Sequence, residues 1–109
     1  MTDRELLEAA YAAYRPGENY IRLVNDAGSD YWNPLTDDGD ALRLFCTLPW
    51  MCIETSDLAV TVRERGNPDE PTRVYLMWTE WLDKHNGDPL AATRRAIVRT
   101  AASIGKEMK

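Results

Sequence analysis

Met51-Cys52-Ile53-Glu54-Thr55-Ser56-Asp57-Leu58-Ala59-Val60-Thr61-Val62-Arg63-Glu64-Arg65 is the stretch on which the fold turns. Met51–Thr55 reads as a short strand. After Ser56-Asp57, the run Leu58–Arg65 sets Leu58, Val60 and Val62 on one face and Thr61, Arg63 and Arg65 on the other, the period-two alternation of a half-buried strand. The spacer is far too short for a crossover, so the pair predicts a hairpin and a mainly antiparallel sheet. Downstream, Gly66-Asn67-Pro68-Asp69-Glu70-Pro71 reads as an exposed loop within one domain. From Thr72 to Leu82 the periodicity is ambiguous. Val74, Met77, Trp78, Trp81 and Leu82 match a helical stripe, whereas Val74, Leu76 and Trp78 against Tyr75, Met77 and Thr79 match a strand apolar on both faces. Valine, tyrosine and tryptophan between a proline loop and the turn-like Lys84-His85-Asn86-Gly87 favour a strand covered on both sides.

The flanking segments read as helices with one further strand. Thr2 and Glu5 have capping-box spacing, and Leu6, Leu7, Ala10, Tyr11 and Tyr14 recur helically, predicting a helix from about Asp3 to Tyr14 that Arg15-Pro16-Gly17 ends. Tyr20–Val24 reads as a short strand and Asn25–Asp30 as a loop. A second helix is expected to start near Asp37, capped by Thr36 or Asp37, with Ala41, Leu42, Phe45 and Leu48 along one side and Pro49 as its stop. The last helix is the clearest: Asp88 caps it, Pro89 takes its first position, and Leu90, Ile97, Ala101, Ile104 and Met108 fall in register over about five turns. The expected fold is one α/β (α+β) domain over residues 1–109. It is a three-layer α/β/α sandwich of about four mainly antiparallel strands, with three helices covering the two faces.

Composition limits the function classes. The 109 residues, 44% hydrophobic and 28% charged, suit one domain that buries roughly 65% of its unfolded surface. A net charge of −5 argues against a chain that coats DNA or clings to anionic lipid. That charge is unevenly placed: residues 1–87 carry eight basic and sixteen acidic side chains, whereas residues 88–109 carry five basic and two acidic. Met1-Thr2-Asp3-Arg4-Glu5 has no basic leader character and no apolar run approaches membrane-spanning length, so a soluble cytoplasmic protein is expected. Cys46 and Cys52 are expected to be buried free thiols, and with His85 they fall short of a four-ligand zinc site.

Few residues carry chemistry. Asp37, Asp38 and Asp40 could hold a hard cation, but without EF-hand spacing they read as cap and first-turn residues of the second helix. Arg95, Arg99 and Lys106, with Arg94 nearby, form a basic helix face that could meet phosphates or an acidic partner and reads by default as a solvated face. Four tryptophans exceed what a small core needs, and Trp32 and Trp81 are candidates for a partner surface. His85 sits in a turn, Glu54 and Asp57 have only their residue type in favour of catalysis, and phosphate-loop, GxSxG, HExxH and CxxC motifs are absent. No cofactor is expected and the balance points away from an enzyme.

Two segments resemble a known family. Trp32-Asn33-Pro34-Leu35-Thr36-Asp37-Asp38-Gly39-Asp40-Ala41-Leu42-Arg43-Leu44 and Ala92-Thr93-Arg94-Arg95-Ala96-Ile97-Val98-Arg99-Thr100-Ala101-Ala102-Ser103-Ile104-Gly105-Lys106 look like the two hallmark segments of the phage ABA sandwich domain. Leu48-Pro49-Trp50 and the Trp78–Asn86 stretch depart from its pattern. The resemblance implies an α/β/α sandwich encoded by a bacteriophage or prophage and acting in a bacterial cytoplasm, with Trp32 to Asp40 as a structural motif. It brings no activity. The expected function is therefore that of a phage accessory protein binding a host or phage protein, in host interaction or anti-defence, with a homodimer as a further option. The alternatives are nucleic-acid association through Arg94, Arg95 and Arg99, which the acidity disfavours, and a metal-dependent hydrolase using Asp37, Asp38 and Asp40.

Overall fold

The computed structural model describes residues 2–18, 20, 32–48, 51–64 and 77–107. Among the described residues three helices of two turns or more and a three-stranded antiparallel sheet make an α+β fold: α1 (Asp3–Tyr14), α2 (Asp38–Cys46), β1 (Met51–Thr55), β2 (Ala59–Glu64), β3 (Met77–Trp81), a 3-10 turn (Leu82–His85) and α3 (Pro89–Glu107). The boundaries follow local chemistry. Thr2 and Glu5 close a reciprocal capping box on α1, the Asp37 carboxylate accepts from the Asp40 N–H at the start of α2, and Asp88 Oδ1 accepts from Leu90 N–H at 2.9 Å to start α3.

The sheet runs β1-β2-β3, with Ile53 opposite Val62 and Val62 opposite Trp78. Val60 and Val62 are almost fully buried, each worth about 1.5–3 kcal/mol of apolar burial, and α3 packs on that face. A charge at Val62 would break this layer. On its other side α3 meets α1 and α2, and one continuous core joins Leu6, Ala10, Leu44, Val62, Ile97 and Val98. Small residues let α1 approach closely: a Cβ at Gly105 would collide with the main chain of Ala9.

Several expectations are corrected. Tyr20 is helical and buried, its ring packed on Tyr11 and Trp32, so tertiary packing overrides strand propensity there, and the rest of the strand expected over Tyr20–Val24 lies outside the described residues. Along α2 the buried positions are Ala41 and Leu44, while Leu42 is exposed, because α2 turns its Ala41–Leu44 edge to α3. The ambiguous segment is a strand over Met77–Trp81, and residues 65–76 lie outside the description. That strand is covered on one face: Met77 and Trp81 point to the uncovered side and are 61% and 54% exposed. Leu58 lies in the hairpin turn and is exposed, as is Leu90 in the first turn of α3, both beyond the reach of the core. Cys46 is exposed and Cys52 half-buried, because Cys46 ends α2 away from its core edge and Cys52 lies on the sheet's outer face. Among the described residues no helix is long and apolar enough to cross a membrane.

Candidate functional site

Alternation along β3 turns Trp78 and Glu80 inward and Met77, Thr79 and Trp81 outward. Glu80 is thus a carboxylate buried on the core face of the sheet, and it survives there because cations surround it. Arg99 Nη1 donates to Glu80 Oε2 at 2.8 Å, His85 Nε2 lies 2.9 Å from Oε1, and Arg95 Nε is 4.0 Å from Oε1. Arg95 also reaches Asp3 Oδ1 at 3.0 Å, tying the start of α1 to α3. Arg99 lies over the Trp78 ring at 5.6 Å, and the Trp78 indole N–H donates to Ser103 Oγ at 3.0 Å.

Arg94 turns the other way. Its Nε donates to the Leu35 carbonyl at 2.8 Å and its Nη1 to Asp38 Oδ1 at 2.6 Å, which fastens α3 to the entry of α2. The three arginines expected on a solvated face are therefore engaged in ties between elements, with side-chain exposures of 17%, 26% and 35% in chain order.

The Trp32–Asp40 segment is held by its own polar groups. Asn33 Oδ1 accepts from Leu35 N–H, and Asp40 Oδ2 accepts from Asn33 N–H at 2.9 Å while its Oδ1 pairs with Arg43. Asp37 is the cap and Asp38 meets Arg94, so each of the three carboxylates is engaged by a different donor. Among the described residues no group of three His, Cys, Asp or Glu could hold a metal ion. Trp32 is 5% exposed, stacked on Tyr14 at 5.3 Å and edge-on to Tyr11 at 5.1 Å, with its buried indole N–H unpaired. Burial, with the hydrogen bond of Tyr11 to Glu18, pushes the Tyr11 hydroxyl up to about 12. Glu54 pairs with Arg63 across the outer face of the hairpin, away from Asp57.

Trp81 lies elsewhere. The Leu82 N–H donates to the Leu58 carbonyl at 2.9 Å, Ser56 Oγ accepts from the N–H groups of Leu58 and Ala59, and Asn86 and Gly87 turn the chain with φ values of 55° and 76°. Two turns are thereby held side by side around a cleft of about 570 Å³. Leu58, Trp81 and Leu82 make it apolar, and Asp57, Asp83 and Lys84 edge it. Leu58 and Trp81 are 69% and 54% exposed. Exposed leucine and tryptophan on a braced backbone can seat an apolar side chain of another molecule.

The aromatic surplus singled out Trp81 but nothing singled out Glu80, which counted as one acidic residue among eighteen. Its signal was a carboxylate two residues from Trp78 on the same strand face, opposite Val60. Compared with family models, with curated proteins and with solved structures, the chain matches none.

Proposed function

We propose that the protein is a bacteriophage or prophage accessory protein that acts in the bacterial cytoplasm by binding a protein partner through the cleft between Leu58 and Trp81. The observation that carries this reading is the pair of large apolar side chains left in water, one on the hairpin turn and one at the end of β3, with the two segments joined by the Leu82–Leu58 hydrogen bond. Asp57 and Asp83 at the rim favour a partner segment with an apolar anchor flanked by basic side chains. The phage origin rests on the resemblance of the Trp32–Leu44 and Ala92–Lys106 segments. A fourth strand and the three-layer α/β/α arrangement rest on the same resemblance. Nucleic-acid association is less well supported, because Arg94, Arg95 and Arg99 are engaged within the protein. The metal-dependent hydrolase loses support in the same way, since its three aspartates are separately engaged. Photo-crosslinking in bacterial cells tests the proposal, with the reactive side chain at position 81 and, as control, at position 42 on α2. A discrete adduct formed from position 81 alone supports it, and equal or absent crosslinking from both contradicts it.

A further inference from the structure

A second cleft, of about 270 Å³, lies between the start of α1, β3 and the last turns of α3, lined by Leu6, Trp78, Arg99, Ala102, Ser103 and Lys106. Its polar side is cationic. Arg99 and Lys106 lie seven residues apart, two turns along one side of α3, so both side chains reach the same opening. The buried Glu80 carboxylate holds Arg99 through Nη1, and no other acceptor meets its guanidinium among the described residues. Lys106 is exposed and has no ion-pair partner among them. Glu5 on α1 accepts from the N–H and hydroxyl of Thr2, which hold its carboxylate below the usual range, and the Lys106 charge adds to that more weakly without forming a contact pair. The Ser103 hydroxyl donates to the Arg99 carbonyl and accepts from Trp78, which fixes the indole as one wall while Leu6 and Ala102 supply an apolar floor. A guanidinium anchored on one side presents a preorganised fork on the other, and such a fork matches phosphate or carboxylate.

We infer that this cleft binds a small organic anion, a phosphate monoester or a carboxylate with a compact apolar body. The charge lies between Arg99 and Lys106, and the body lies on Trp78, Leu6 and Ala102. This site is separate from the Leu58–Trp81 cleft and does not depend on the partner proposed for it. The probes are phenyl phosphate, benzoate and inorganic phosphate, titrated into the whole protein and followed by the indole N–H resonances, each assigned through a Trp→Phe variant. The first two arms distinguish a phosphate ligand from a carboxylate one. The expected result is a saturable shift of the Trp78 resonance with phenyl phosphate or benzoate and at least about tenfold weaker binding of inorganic phosphate, because only the organic anions gain the apolar contact. Lys106→Gln, on an exposed side chain, should weaken binding several-fold at unchanged Tm, and added salt should weaken it too. A Trp78 resonance that does not move, a shift that never saturates, or equal affinity in Lys106→Gln overturns the inference.

Discussion

Gly105 of α3 packs against the main-chain carbonyl of Ala9 on α1, with no room for a Cβ between the two helices. Alanine is favoured over glycine in a helix by about 1 kcal/mol, and overpacking costs about 1–3 kcal/mol, so the two effects oppose each other. Because the obstacle is backbone, packing should win. The net cost is up to about 2 kcal/mol, so Gly105→Ala is expected to lower Tm by up to about 10 °C, and Gly105→Val by more. Thermal unfolding followed by circular dichroism measures this, and a raised Tm for Gly105→Ala contradicts the close approach.

Glu80 joins β3 to α3 through Arg99 and Arg95, and to the 3-10 turn through His85. Glu80→Ala removes the counter-charge of Arg99 and leaves Arg95 paired with Asp3 alone. Because both arginines retain some exposure to water, the expected loss is about 2 kcal/mol, below the 3–5 typical of a fully buried pair. Urea unfolding should show a lower midpoint at unchanged slope, with Glu80→Gln intermediate. A midpoint equal to that of the wild type contradicts this role.

Tyr11 gives the protein an alkaline limit. Its hydroxyl titrates near 12 when folded against 10 when unfolded, so the folded state holds the proton more tightly. The associated stability is complete below pH 10 and is lost as pH rises from 10 to 12. Tyr11→Phe should remove that portion of the alkaline loss, measured as the midpoint of urea unfolding across this window. An identical pH dependence in the variant contradicts the assignment.

Asp37, Asp38 and Asp40 serve as a cap and as two separate tethers. Mg²⁺, Mn²⁺ and Ca²⁺ at millimolar concentrations are therefore expected to leave Tm unchanged. A rise of several degrees with any of them would reveal a site that binds only the folded state.

The elements whose signals are local were legible in the sequence. The Thr2–Glu5 box, the Asp88-Pro89 start and the Met51–Glu64 hairpin all depend on neighbours a few residues away. What the sequence could not display was partnership across the chain. Arg94, Arg95 and Arg99 read as a solvated face because helical periodicity records only where a side chain leaves the helix. It does not record that Asp38, Asp3 and Glu80 wait opposite. Trp32 and Trp81 looked alike as surplus aromatics, yet one fills the core against Tyr11 and Tyr14 and the other stands in water. Which face of β3 would be covered also depended on where α3 docks, 25 residues from Trp78 at Ser103.

The most direct test of the account is a paired capture from bacterial lysate with the wild-type protein and Trp81→Glu, after both have been shown to have the same Tm and circular dichroism. A protein retained by the wild type in near-equimolar amount and lost from Trp81→Glu is the predicted result. Equal retention by both proteins, or nothing above background with the folded wild type, would contradict a function based on the Leu58–Trp81 cleft.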